Sequence, residues 1–354
     1  MSESVGRNTE KHIERGNQRR CTIKDVANLA GVSIATVSRV INGAKNVSEE
    51  TRRRVIRAIK SLGYKPMPAL RKSAELLYNI GVLVPDLRGY HYNEIVMAIE
   101  DYASKNDFET LISIPKMLPE EEQHVLDQFF KRKIDGVILA ELYTGVKYLE
   151  PFLKSGVPLV AVDYNIEEIL CDSVNVDNVG GAVIVMNYLY SKGHRRILYL
   201  RGPQISPAAV HREKGIRKFL DRHKDVEVYM SESEGYNPED GYDGVSRHLN
   251  KHGLNFTAIF SVNDWSAIGA IAALKEHGLE VPDDVSIVGF DNAPYSAYLT
   301  PPLTTVHQPR WEIGQTAAQL LIERILGRGS RIARNVILPT KLIERNSVKD
   351  IAKR

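Results

Sequence analysis

The sequence predicts two parts of different class: a small all-α head and a large α/β body of two parallel-sheet subdomains. Three observations carry this. The net charge of +3 hides an asymmetry, because 16 Lys and Arg stand against 6 Asp and Glu through Lys72, and 31 against 38 in the remainder. Residues 22–43 read TIKDVANLAGVSIATVSRVING, two short amphipathic stretches about one glycine. From Ile80 onward, short apolar β-rich runs alternate with helical patterns, as parallel strands joined by crossover helices do.

In the head, Thr22 followed three residues later by Asp25 has the form of a capping box and starts a helix. Val26, Ala27, Leu29 and Ala30 supply its apolar side. Gly31 stands where the chain must turn sharply with φ > 0, which glycine tolerates. Ser33 is the N-cap of a second helix running to about Ile41, with Val37, Val40 and Ile41 facing inward. A third helix begins at Ser48 in SEETRRRVIRAIKSLGY, and its Val55, Ile56, Ile59 and Leu62 close a small core.

Ala27, Gly31 and Val37 have helix-turn-helix spacing: a small residue where the helices touch, a turn glycine, and an apolar residue six further on. The second helix of such a unit enters the DNA major groove by its N-terminal end. Its outward residues are Ser33, Ile34, Ala35, Thr36, Ser38 and Arg39, and Arg39 can donate a bidentate pair to guanine. Thr22, Ser33, Thr36, Asn42 and Thr51 are short donors suited to phosphates. A basic head on an acidic body points to an anionic polymer as partner for the head. The alternative is a helical hairpin of purely structural role, which the agreement of charge and spacing disfavours.

In the body, IGVLVP (80–85) precedes a helix near 92–105; ETLIS, GVILAE, PLVAVDY and RILYLR continue the alternation, followed by AIFSV and SIVGF. Ligands of such folds bind beyond the carboxyl ends of the strands. Tyr90, His91 and Tyr92 are expected in the loop after the first strand, and Arg212 at the start of the REKGIRKFL helix. Asn263, Asp264 and Trp265 follow AIFSV, and Asp291 follows SIVGF. Carboxylates, an amide, a guanidinium and flat aromatic faces suit a neutral polyhydroxylated ligand, whose hydroxyls donate to the acceptors while rings stack on its C–H face. Each has a plainer reading alone: an Asp after a strand is often a helix cap, and Trp265 can be core.

The head resembles that of the LacI/GalR family of bacterial transcription regulators, on TIKDVANLAGVSIATVSRVING and VSEETRRRVIRAIKSLGYKP. The resemblance continues through VNVDNVGGAVIVMNYLYSKGHRRILYLRGP, PDDVSIVGFDNAPYSAYLTPPLTTVHQP and LPTKLIERNSV. It implies a helix-turn-helix headpiece on a periplasmic-binding-protein-like core, whose two parallel-sheet subdomains are crossed by three strands. It further implies a homodimer reading a pseudo-palindromic operator, with Ile34, Ala35 and Arg39 at base-choosing positions. Effector contacts carry over onto Arg212, Asn263 and Asp291, with Gln308 and the aromatic segment 90–92 as further positions; Trp265 matches no fixed family contact.

The hinge departs from the family pattern. Arg71 matches, but Met67 replaces an Asn, Leu70 an Ala, and Ser73 stands where a minor-groove leucine wedge belongs. The expected organisation is a disordered basic tail over 1–20, the headpiece over 21–65, a hinge over 66–79, the effector-binding and dimerisation core over 80–346, and a C-terminal tail over 347–354.

Other classes lack their marks. VGGAVIV is not the G-x-G-x-x-G of a dinucleotide enzyme, and no G-x-x-x-x-G-K-[ST] occurs. His91, His194, His211 and His307 have no metal spacing, and His194 is expected to satisfy a turn after a helix. Cys21 and Cys171 form neither a metal pattern nor a disulfide framework. The N-terminus has no apolar core of a secretory signal, and no stretch approaches the ~20 apolar residues of a membrane helix. A secreted solute-binding protein with the same core is therefore the weaker alternative. The expectation is a cytoplasmic, ligand-controlled repressor that is not an enzyme and uses no cofactor or metal. Its effector is a sugar or sugar derivative, with a purine or a phosphorylated sugar left open.

Replacing Arg39 by Ala is expected to lower specific operator affinity by about 1–3 kcal/mol. Fluorescence anisotropy on a selected duplex checks this, and unchanged operator preference removes Arg39 from base reading.

Overall fold

The computed structural model describes residues 22–41, 44, 47–62, 64, 78–115, 118–142, 146–164, 171–330 and 332–352. The basic tail, Asn42, and the hinge through Leu77 with its Arg71 lie outside them. The chain separates into two compact units, Met1–Leu76 and Leu77–Arg354.

The first unit contains α1 (Ile23–Ala30), α2 (Ile34–Ile41) and α3 (Glu49–Leu62). The Asp25 carboxylate accepts from both the backbone N–H and the hydroxyl of Thr22 at 2.7 Å, which starts α1 as the sequence predicts. Gly31 ends α1 with φ 62°, in the left-handed region. Ser33 Oγ accepts from Thr36 N at 3.1 Å and caps α2. Ser48 lies just outside α3 and caps it, accepting from Thr51 N at 3.3 Å. Val26, Ala27, Val37, Val40, Ile41, Val55, Ala58 and Ile59 form the core, with Ile56 and Leu62 packed against it. Leu29, expected on the apolar side, is 55% exposed. At ~100° per residue it stands roughly a quarter-turn from the stripe through Val26, Ala27 and Ala30.

Among the described residues the second unit carries three sheets. Strands β1 (Tyr78–Leu83), β2 (Phe108–Ser113), β3 (Gly136–Ala140), β4 (Leu159–Val162), β5 (Asp172–Val176) and β11 (Asn335–Leu338) form a parallel sheet in the order β11-β5-β4-β3-β1-β2. Strands β6 (Arg196–Arg201), β7 (Glu227–Glu234), β8 (Ala258–Ser261) and β9 (Ser286–Val288) form a second parallel sheet in the order β7-β6-β8-β9. An antiparallel ribbon pairs β10 (Thr305–His307) with β12 (Lys341–Ile343). Every residue of β3 and β4 is buried, the near-continuous apolar pattern of a strand covered on both faces.

Helices α4 (Tyr90–Lys105) and α11 (Arg310–Ile325) pack on one face of the first sheet, α5 (Pro119–Lys131) and α6 (Glu150–Ser155) on the other. The second sheet is covered by α7 (Asn178–Ser191) and α8 (Pro207–Leu220) on one face and by α9 (Pro238–His252) and α10 (Asp264–Glu276) on the other. The chain passes between the two sheet systems three times, near 176–178, 307–310 and 338–341. Two passages run side by side, with Asp177 N donating to Leu338 O at 3.1 Å.

Two boundaries differ from expectation and move candidate residues. α4 begins at Tyr90, so Tyr90, His91 and Tyr92 form a helical first turn rather than a loop. α8 begins at Pro207, five residues before Arg212, because proline suits a helix's first position. The C-terminal stretch from 347 is fastened to the core: Ser347 is fully buried, its hydroxyl donates to Ile287 O at 2.6 Å, and it accepts from Thr304 N at 2.8 Å.

Gly314 lets α11 close on α4, since a Cβ there would lie 2.3 Å from Ile95 O. Gly314→Ala is expected to destabilise the body by about 1–3 kcal/mol through overpacking, read from denaturant unfolding.

Candidate nucleic-acid interface and effector cleft

On α2, Ser33, Ile34, Ala35 and Arg39 are exposed and Thr36 and Ser38 half-buried, while Val37, Val40 and Ile41 are buried. The predicted reading face is therefore the solvent face. The Ser33 and Thr36 hydroxyls share a 2.8 Å hydrogen bond. Thr22 is exposed and Thr51 half-buried. Arg54 serves the fold: its guanidinium donates to Ala30 O, at 2.6 and 3.2 Å, and to Gly31 O at 3.1 Å, satisfying the C-terminus of α1.

The body holds a cavity of about 280 Å³ at the carboxyl ends of its strands. Asp86 follows β1, Glu141 follows β3 and Asp163 follows β4; Asn263 and Trp265 follow β8, and Asp291 follows β9. Glu234 and Tyr236 line it at the end of β7, and His91 and Tyr92 from the first turn of α4. Glu141, Asp163 and Asp291 have φ of 55°, 57° and 124°. Such conformations are costly for residues other than glycine and concentrate at functional sites.

Arg212 is 4% exposed. Its Nε donates to Asn178 Oδ1 at 3.0 Å and Nη1 to Val262 O at 2.6 Å, and the guanidinium lies 3.9 Å from the centroid of the Phe290 ring. Nη2 stands 4.0 Å from Asp291 Oδ1, which also accepts from Gln308 Nε2 at 2.5 Å. Asn263 caps α10, accepting from Ser266 N at 2.8 Å. Trp265 is half-buried on the cleft wall rather than in the core, near Gly89, where a Cβ would meet the indole at 3.5 Å.

The cleft thus brings together His91, Tyr92, Arg212, Asn263, Trp265, Asp291 and Gln308. Tyr90 and Asp264 do not join them. Tyr90 has its ring beside the Arg310 guanidinium, 5.2 Å away. Asp264 is fully buried beneath the wall, accepting from Ala293 N at 2.8 Å and Thr305 Oγ1 at 2.5 Å. Burial, and then the charge of Asp291, raise its carboxyl well above the usual range. Gly289 makes room for it, since a Cβ there would lie 2.2 Å from Asp264 Oδ1.

Glu141, Asp163 and Tyr236 were not among the predicted residues. The first two end the runs GVILAE and PLVAVD, so an acid directly after an apolar strand was the available signal. His194 takes a structural role: Nδ1 meets Thr257 Oγ1 at 2.9 Å and Nε2 meets Lys349 O at 3.2 Å, and burial lowers its pKa.

A helix-turn-helix unit whose second helix turns a polar face to solvent, together with a two-sheet body enclosing a polar cleft, defines a ligand-responsive DNA-binding regulator. Residues 22–67 match the bacterial regulatory proteins of the lacI family, and residues 186–348 a periplasmic binding protein-like domain. The chain is 33% identical over 338 residues to the HTH-type transcriptional repressor PurR of Histophilus somni (strain 129Pt), covering 93% of this chain and 99% of that one. It is similar to the lac repressor dimer bound to operator and the anti-inducer ONPF (TM-score 0.71, 28% identity, 94% of this chain and 100% of that one). It is also similar to a LacI family transcriptional regulator from Enterococcus faecium with bound ribose (TM-score 0.70, 28% identity, 77% of this chain and 99% of that one). The chain belongs to the lacI family of bacterial regulatory proteins.

Asp264→Ala leaves the Ala293 N–H and the Thr305 hydroxyl without their acceptor, and is expected to cost about 2–4 kcal/mol of stability. Because the folded pKa of Asp264 is raised, the stability it contributes is present at low pH and lost as pH rises through that value. Asp264→Asn should therefore gain on wild type as pH rises above the ordinary carboxylate range, as read by thermal unfolding.

Proposed function

We propose that this chain is a cytoplasmic homodimeric repressor of carbohydrate-utilisation genes whose operator affinity changes when a small sugar or sugar derivative occupies the cleft. The observation that carries the effector class is the cleft's chemistry. Asp291, Asn263, Glu141 and Asp163 offer acceptors to hydroxyl protons, and Tyr92, Trp265 and Tyr236 offer flat faces to a ring's C–H surface. A cavity of about 280 Å³ lies just below the roughly 300–1,000 Å³ span of ligand sites, which favours a monosaccharide-sized guest. The ribose held by the similar Enterococcus faecium regulator is of that class.

The head's part follows from α2. Ile34, Ala35 and Arg39 read bases, and Thr22, Ser33, Thr36, Ser38 and Thr51 meet the backbone or neighbouring groups; by resemblance Asn42 and Arg71 join them. The cleft is a binding site rather than a catalytic one. A ligand moves the equilibrium between DNA-competent and DNA-released forms only by its differential affinity for them, typically by ~1–3 kcal/mol.

Asp291→Ala is expected to abolish the effector response and leave operator binding intact. The check is a thermal-shift panel of sugars, sugar phosphates and nucleobases on wild type, followed by operator titrations of both proteins with the hit. A variant that responds at the wild-type effector concentration overturns this assignment.

A further inference from the structure

Among the described residues, six carboxylates line the cleft, those of Asp86, Glu141, Asp163, Glu234, Asp240 and Asp291, against one lining guanidinium, Arg212. Arg212 faces Asp291 at 4.0 Å and is already bonded to Asn178 and Val262 O. Two of the acids are matched from outside: Arg88 meets Asp86 at 3.1 Å and Arg201 meets Glu234 at 2.6 Å. Arg310, the other buried guanidinium near Asp291, is bonded to Glu94 at 2.7 Å and to the Asp291 and Asn292 carbonyls.

The wall contributed by β3 and β4 is different. Glu141 is 6% exposed and accepts from Ser206 Oγ at 2.8 Å, and that hydroxyl in turn accepts from Tyr236. Asp163 has a side chain 4% exposed; Oδ2 meets His91 Nε2 at 2.6 Å, while Oδ1 has no hydrogen-bond partner among the described residues. His91 Nδ1 is also without one. A buried carboxylate oxygen lacking a donor is costly, and a guest that donates to it recovers that cost. A phosphate brings acceptors and negative charge to the same wall.

We propose that the cleft is a charge filter, admitting an unphosphorylated, donor-rich sugar and rejecting its phosphate ester, with Asp163 and Glu141 as the discriminating pair. The inference rests on the reading of the cleft as a sugar site. An effector hydroxyl donates to Asp163 Oδ1, and His91 holds the other oxygen so that the free one stays in place.

The test uses the full chain with D-ribose, D-glucose, D-fructose and D-galactose, their phosphate esters, and hypoxanthine and guanine, by thermal shift and calorimetry. The parent sugar that binds is expected to bind roughly a hundredfold more tightly than its ester, since like-charge juxtaposition is strongly disfavoured. Asp163→Asn and Glu141→Gln should each narrow that ratio about tenfold or more, while the ligand-free melting temperature reports that each variant folds. An ester that binds wild type as well as its parent overturns the filter, as does a ratio unchanged in both folded variants, and in either case the sugar reading stands. Binding of a nucleobase with no sugar, or of no probe at all, removes the sugar reading and the filter with it.

Discussion

The buried guanidinium of Arg310 joins what the rest of the body depends on. It is the first residue of α11, directly after a passage between the two sheet systems, and is 3% exposed. Nε donates to Glu94 of α4 at 2.7 Å, and the Nη groups donate to the carbonyls of Asp291 and Asn292. Arginine is always charged and presents its donors in a rigid planar fork, so one side chain can hold a carboxylate and two carbonyls in a fixed relation. Asp291 and Asn292, at φ 124° and 52°, keep these costly conformations because the fork and Gln308 hold them. Removing one partner of such a buried pair leaves an uncompensated charge. The opposite wall is tied in as well, because Glu94 stands one helical turn beyond Tyr90 and His91.

A second constraint is directional. In a parallel sheet every strand ends on the same edge, so the residues after β1, β3 and β4 share one rim, and those after β6, β8 and β9 another. The acids that end these runs would be a liability inside a sheet. At a rim they face a cleft, where each finds a partner across it or beneath it: His91 for Asp163, Ser206 for Glu141, Arg212 and Gln308 for Asp291. Asp264 shows the other outcome. It follows the same kind of strand yet turns beneath the wall, where it organises the loop after β9 through Ala293 and Thr305.

The headpiece divides its basic residues between two tasks. Arg39 stands exposed on α2, whereas Arg54 is committed to the carbonyls at the end of α1. Net charge therefore overstates the cationic surface available to a polyanion, since part of it satisfies backbone acceptors of the fold.

Local chemistry was legible in the sequence wherever one residue type answers one backbone need. Gly31 marked the left-handed turn, Thr22 with Asp25 and Ser33 marked helix starts, and unbroken apolar runs marked covered strands. Acid and amide after those runs located Asn263 and Asp291 on the cleft rim. Only the tertiary structure decided which polar residues share a space. Asp264 followed the strand-end pattern yet went beneath the wall, Tyr90 turned to Arg310, and Glu141 and Asp163, which carry the same strand-end signal, joined the wall. The reason is physical: periodicity and capping act over one helical turn or one strand, whereas the cleft is assembled from strand ends more than a hundred residues apart, and its membership depends on how two sheets and three crossing segments bring those ends together.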